Sequence, residues 1–133
     1  MRVLIVGAEP GAFSLGERLE ASGVTVERRA DDPPPRDGPQ EIAATARDLR
    51  ELERFLEDRG ADAVLIASSS PAALAAVIAA TKVGIPVARL EIPDAATGAE
   101  ANARLIRQLA DAALAPDAAV IVAWARDGYP ART

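Results

Sequence analysis

The chain has 133 residues, half of them hydrophobic and 3% aromatic, with a formal net charge of -5. That length suits one hydrophobic core, the hydrophobic share speaks against disorder, and the acidic balance speaks against general nucleic-acid binding. Neither Cys nor His occurs, which removes disulfides, the usual zinc ligands, the thiol nucleophile and the commonest general base.

Val3 to Val6 is an apolar run ending at Gly7, the pattern of a buried parallel strand. Ala12, Leu15, Gly16 and Leu19 follow at helical spacing, and Gly23 closes that helix. Val24 to Glu27 alternates and predicts a second strand nearer an edge. Ala30 to Pro39 holds four prolines and three aspartates and reads as a loop. Gln40 to Arg59 predicts an amphipathic helix, with Ile42, Ala46, Leu49, Leu52 and Leu56 as the buried stripe. Arg47–Glu51 and Arg54–Asp58 are spaced for ion pairs on its wet side.

Ala63 to Ala67 predicts a third strand; Ser68, Ser69 and Ser70 form a turn, with Pro71 at the first helical position. Ala72 to Thr81 carries no charge, so that helix is buried on more than one side or covered by another subunit or domain. Ile85 to Leu90 is strand four, Glu91 to Thr97 a loop, and Gly98 to Asp111 a helix with Leu105, Ile106 and Leu109 inward. Ala113 to Ala115 is a short fifth strand. Residues 118–126 are open: Val120, Ile121 and Val122 favour a strand, while Asp117 looks like a helix N-cap.

This strict alternation predicts an α/β fold, a doubly wound, Rossmann-like or flavodoxin-like parallel sheet of about five strands in the order 2-1-3-4-5, over a single domain 1–133. No segment is long and apolar enough to span a membrane, and the N-terminus reads as a strand, not a signal peptide. A cytoplasmic protein with no cofactor and no metal is expected.

In such sheets ligands bind beyond the carboxyl ends of the strands, near the point where the order reverses. The Gly7–Gly11 loop sits there but has Glu9 where a dinucleotide fingerprint needs Gly, and it lacks the Walker Gly-Lys-Ser/Thr. It is either a tight turn or a weak phosphate site, and Glu9 would repel a pyrophosphate. Ser68, Ser69 and Ser70 at a helix N-terminus cap the helix or hold an anion. Glu91 and Glu100 form an acid/base pair at the carboxyl edge, or are a solvated loop residue and a helix-dipole residue.

Several stretches, in order, resemble one family. They are Ala61-Asp-Ala-Val-Leu-Ile-Ala-Ser-Ser-Ser-Pro71, Gly84-Ile-Pro-Val-Ala-Arg-Leu-Glu91, Ala99-Glu-Ala-Asn-Ala-Arg-Leu105 and Leu109-Ala-Asp-Ala-Ala-Leu-Ala-Pro-Asp117. Together with Gly7-Ala-Glu-Pro-Gly-Ala12 they look like the N-terminal lobe of non-hydrolysing UDP-N-acetylglucosamine 2-epimerases, over most of residues 1–117. The resemblance implies one lobe of a GT-B-type architecture, with a UDP-sugar ligand in a cleft between two lobes. The chain's end falls where that family's connecting segment would start. By the same resemblance Glu91 and Glu100 would be catalytic, and Gly7, Ser68, Ser69, Ser70, Asn102 and Arg104 would line the ligand site.

The departures fall on catalytic positions. Glu9 stands where the family has Arg, Ser14 where it has Lys, Ser69 where it has Asp, and Arg89 where it has His. Ile92 to Thr97 replaces its Ala-Gly-Leu-Arg-Thr, and the Arg expected at Ala103 comes one position late, at Arg104. The implied function is a catalytically degenerate single-lobe relative acting as a binding or partner module in sugar-nucleotide metabolism. It would associate with itself or with another chain through the uncharged Ala72–Ala80 helix and the sheet's carboxyl edge. The alternative is one half of a split UDP-sugar epimerase or glycosyltransferase, completed by a separate UDP-binding chain.

Overall fold

The computed structural model describes residues 1–7, 10–30, 38–58, 60–91 and 100–131. Ten elements alternate: β1 (Arg2–Val6), α1 (Pro10–Ala21), β2 (Thr25–Arg29), α2 (Gly38–Asp58), β3 (Ala63–Ile66), α3 (Pro71–Val83), β4 (Val87–Leu90), α4 (Glu100–Leu109), β5 (Ala112–Leu114) and α5 (Ala118–Arg126). All strand pairs are parallel, in the order β2-β1-β3-β4-β5. The alternating pattern therefore led to the fold observed. Glu9, most of the Pro-rich loop (31–37), Arg59 and the Ile92–Thr97 loop lie outside the described residues.

Two hydrophobic layers follow from the period of two along each strand. Leu4, Val6, Val64, Ile66 and Val87 point to the face covered by α2, α3 and α4. Val3, Ile5, Leu65, Ala88 and Leu114 point to the opposite face, against Leu15 and Leu19 of α1 and Ile121 and Trp124 of α5. The switch point lies between β1 and β3, whose connections leave toward opposite faces.

The uncharged helix is explained within this chain. From Pro71 to Val77 every residue of α3 is buried, as are Ala79 and Ala80. The sheet lies beneath α3, with α2 and α4 on its flanks. Over Ala72–Ala80 it presents no open face, so the expectation that this stretch docks another chain is corrected: its apolar surface is spent on its own core.

The predicted stripe on α2 is rotated. Leu52 and Leu56 are buried and Leu49 is half-buried, but Ile42 is 71% exposed and Ala46 is exposed too. Asp48, fully buried, takes the place one turn before Leu52. Arg29, at the end of β2, supplies the compensating charge, with Nη2 2.8 Å from Asp48 Oδ1 and 2.6 Å from Glu51 Oε2. Glu51 is thus turned toward Arg29 and away from the expected pairing with Arg47, whose Nε lies 3.9 Å from Asp48. No Arg54–Asp58 ion pair forms among the described residues.

On α4 only Ile106 of the three predicted inward residues is buried; Leu105 and Leu109 are 43% and 37% exposed. This helix touches the molecule along a narrow arc through Asn102 and Ile106. The open segment 118–126 is helical. Asp117 accepts hydrogen bonds from the N–H groups of Ala119 (2.8 Å) and Val120 (3.4 Å), and Ile121 and Trp124 meet the sheet at helical spacing.

Candidate functional site

The carboxyl ends of β1 and β3 bring Gly7 beside the Ala67–Ser70 turn. Gly7 has φ of 133°, and a Cβ placed on it would lie 2.9 Å from Ala67 Cβ and 3.1 Å from its carbonyl carbon. Only glycine permits both the dihedral and the close approach. Its N–H donates to the Arg29 carbonyl at 2.9 Å. That donor continues the sheet ladder and is not left over for a phosphate.

The three serines have different duties. Ser70 is the N-cap of α3: its Oγ accepts from the Ala73 N–H at 3.1 Å, and its carbonyl accepts from the Leu74 N–H. Ser68 Oγ lies 3.2 Å from Ser70 Oγ, and both side chains are buried. Ser69 is half-buried, and its hydroxyl has no partner among the described residues. Its carbonyl accepts from Asn102 Nδ2 at 3.2 Å. Asn102 is only 6% exposed, so it clasps the first turn of α4 to the serine turn.

The structure thus brings Gly7, Ser68, Ser69, Ser70 and Asn102 into one neighbourhood. It does not draw the expected acid/base residues into that contact network. Glu91 follows β4, and its N–H donates to the Leu114 carbonyl at 2.8 Å, while its side chain is exposed. Glu100 opens α4 and Arg104 lies one turn on; both are exposed. None of these three side chains has a hydrogen-bond or ion-pair partner among the described residues. What the arrangement offers chemically is a helix N-terminus with one free hydroxyl, over a rigid backbone cradle.

The Arg29–Asp48–Glu51 cluster escaped the sequence reading. Burial works against the Arg29 cation, but hydrogen bonds to Glu51 and Asp48 and their charges outweigh it, so its pKa is raised. A signal was available: Asp48 lies four and eight residues before Leu52 and Leu56, in phase with the buried stripe.

No protein-family model and no curated protein matches this sequence. Solved structures do match. The Methanocaldococcus jannaschii UDP-GlcNAc 2-epimerase in complex with UDP-GlcNAc and UDP aligns with a TM-score of 0.70 at 18% identity, over 100% of this chain and 46% of that one. The Neisseria meningitidis UDP-GlcNAc 2-epimerase bound to UDP-GlcNAc aligns with a TM-score of 0.67 at 24% identity, over 87% of this chain and 40% of that one. MnaA of S. aureus, in a co-structure with UDP, aligns with a TM-score of 0.68 at 19% identity, over 96% and 41%. The chain therefore spans less than half the length of these proteins. The likeness establishes a shared fold, and the motif resemblance is matched at that level.

Proposed function

From a fold shared with UDP-GlcNAc 2-epimerases, we propose that this chain is a UDP-sugar-binding relative of one epimerase lobe that does not epimerise by itself. It acts as a binding or partner module in sugar-nucleotide metabolism. The observation that carries this reading is Ser69. It sits on the turn at the switch point with a hydroxyl that has no partner among the described residues, where the family resemblance expects a catalytic carboxylate. A hydroxyl beside a helix N-terminus can bind a phosphate or a sugar oxygen. It cannot serve as the general base for removing a proton from carbon at neutral pH without a base of its own, and no partner activates it among the described residues.

Calorimetric titration with UDP and UDP-GlcNAc tests the binding half, with Ser69→Ala as the variant that removes the hydroxyl. Binding by the parent chain and weaker binding by the variant are expected. An assay for C2 epimerisation, run on the same samples, is expected to show no product. Epimerisation by this chain alone, or no heat with either ligand at millimolar concentration, would sink the proposal.

A second reading rests on Glu91 and Glu100, both exposed at the carboxyl edge and with side chains that have no partner among the described residues. A separate UDP-binding chain closing over that edge could enclose them as an acid/base pair. It predicts turnover only when such a chain is added, and loss of that turnover in Glu91→Gln.

A further inference from the structure

β2 is an edge strand, with β1 as its one neighbour among the described strands. The Thr25 N–H donates to the Met1 carbonyl, and the Arg29 carbonyl accepts from Gly7. The odd-numbered residues of β2 therefore spend their backbone groups on β1, while Val26 and Arg28 aim theirs outward, where no described strand meets them. The side chains of Thr25, Glu27 and Arg29 share the face of α2, which Arg29 reaches through Asp48 and Glu51. The flank of α2 that Glu51 ties to this edge also carries Arg47, Arg54 and Asp58, all exposed. At about 100° per residue these four fall within roughly 60° around the helix, and their signs alternate along it. Glu51 is turned to Arg29, and Arg54 and Asp58 have no ion-pair partner among the described residues.

We propose that this edge binds a second copy of the chain, with β2 antiparallel to the partner's β2 and α2 antiparallel to the partner's α2, about a twofold axis through Arg28. In the strand, Arg28 exchanges both backbone hydrogen bonds with the partner's Arg28, and Val26 does so with the partner's Ala30. Glu27 then lies opposite the partner's Arg29. Moving the axis one residue either way sets Glu27 on the partner's Glu27, or Arg29 on the partner's Arg29, so the charges select one register. In the helix, reversal matches every sign: Arg47 meets the partner's Asp58, and Glu51 the partner's Arg54. An isologous contact needs such self-matching, and a heterologous partner would not.

Both registers share one axis. Arg29 Nη2 lies 2.8 Å from Asp48 and 2.6 Å from Glu51, so Arg29 stands level with that turn of α2. One residue back along the strand is about 3.3 Å, which is about two residues further along the oppositely running helix. That level falls close to Leu52, and the centre of the Arg47–Asp58 stripe lies between Leu52 and Glu53. The two Arg28 side chains do not collide as bare charges. Each lies over its own α1, with the guanidinium 2.6 Å from Glu20, 5.4 Å from the centre of the Phe13 ring, and against Gly16, where a Cβ would come within 2.6 Å of it. The strand hydrogen bonds supply attraction, and the charges fix register.

Sedimentation equilibrium from roughly 10 µM to 1 mM reads this directly. The weight-average mass is expected to climb from 13.8 kDa toward twice that value. Arg28→Pro removes an outward N–H and leaves the ladder to β1 its donors; association should weaken at least about tenfold, with urea unfolding confirming a folded monomer. Arg47→Asp or Asp58→Arg alone sets like charges together at two places and should weaken association about fivefold. The double swap R47D/D58R should restore it. Both swapped sites are exposed, so this arm decides the matter even where Arg28→Pro does not fold. A parent chain that stays at 13.8 kDa throughout, a folded Arg28→Pro that associates as tightly as the parent, or a double swap no tighter than its single variants would each overturn the proposal.

Discussion

Asp48 is an acidic residue where the leucine stripe of α2 would otherwise continue, and Arg29 compensates its buried charge. Asp48→Ala leaves Arg29, whose side chain is 27% exposed, with Glu51 as its remaining ion-pair partner among the described residues. A loss of about 2–3 kcal/mol in urea unfolding is expected, because a buried ionic partner is removed. Glu51→Gln, at a side chain 51% exposed, should cost under about 1 kcal/mol. Gly7→Ala should cost about 3 kcal/mol, combining the strained dihedral with the 2.9 Å approach to Ala67; the same unfolding curves measure it. Tyr129 is the only tyrosine. Burial, and then the Asp62 charge, push its phenol pKa up. Folding therefore favours the neutral phenol. Its contribution to stability is complete below the ordinary value of about 10 and is lost as pH rises through the folded value. A spectrophotometric titration of the tyrosinate band should give a midpoint above that of the unfolded chain, and Tyr129→Phe should flatten this alkaline loss. At this scale the sequence spoke unevenly. Gly7 was readable as a turn glycine, but the Ala67 contact that demands it comes from a strand some sixty residues away.

Elements were easiest to read where the apolar run was unbroken. Val3–Val6 and Ala63–Ala67 were expected as strands, and β1 and β3 occupy nearly those spans. Edges were harder. The second strand was expected to end at Glu27 but runs to Arg29, because its charged end is held by hydrogen bonds across to Gly7 and α2 that no local pattern reveals. Residues 118–126 carried two conflicting local signals, and the cap prevailed. Asp117 engages two backbone donors, and a helix lets Ile121 and Trp124 reach one core together. Asp117→Ala should therefore cost about 1 kcal/mol. Since Trp124 is the only tryptophan and is fully buried, its fluorescence follows the docking of α5 directly. The helix stripes of α2 and α4 were misphased for one common reason: periodicity identifies an apolar arc but not how wide an arc the neighbours cover.

For the whole molecule, strand order followed from alternation and the handedness of crossovers, which need no long-range information. The site followed only in part. The serine turn and Gly7 converge because the topology requires it, whereas the relation of Glu91 to Glu100 depends on the connection between them. Asn102 was singled out through the family resemblance as a ligand contact. The structure shows it holding the Ser69 carbonyl, a duty that sets the turn's shape. Asn102→Ala should thus loosen both α4 and the turn, lowering stability by about 1–2 kcal/mol through the lost buried hydrogen bond. If UDP binds as proposed, the same change should weaken it even though Asn102 is only 6% exposed.

The burial of α3 has a further consequence. Its first residue abuts the serine turn, and its body is enclosed by the sheet and two helices. The surface that would meet a ligand and the structural centre of the protein are therefore one rigid rod. Its amide protons should be among the slowest to exchange with deuterium. A molecule bound at the rod's serine-turn end should be felt less as a moving loop than as a rise in the melting temperature of the entire fold.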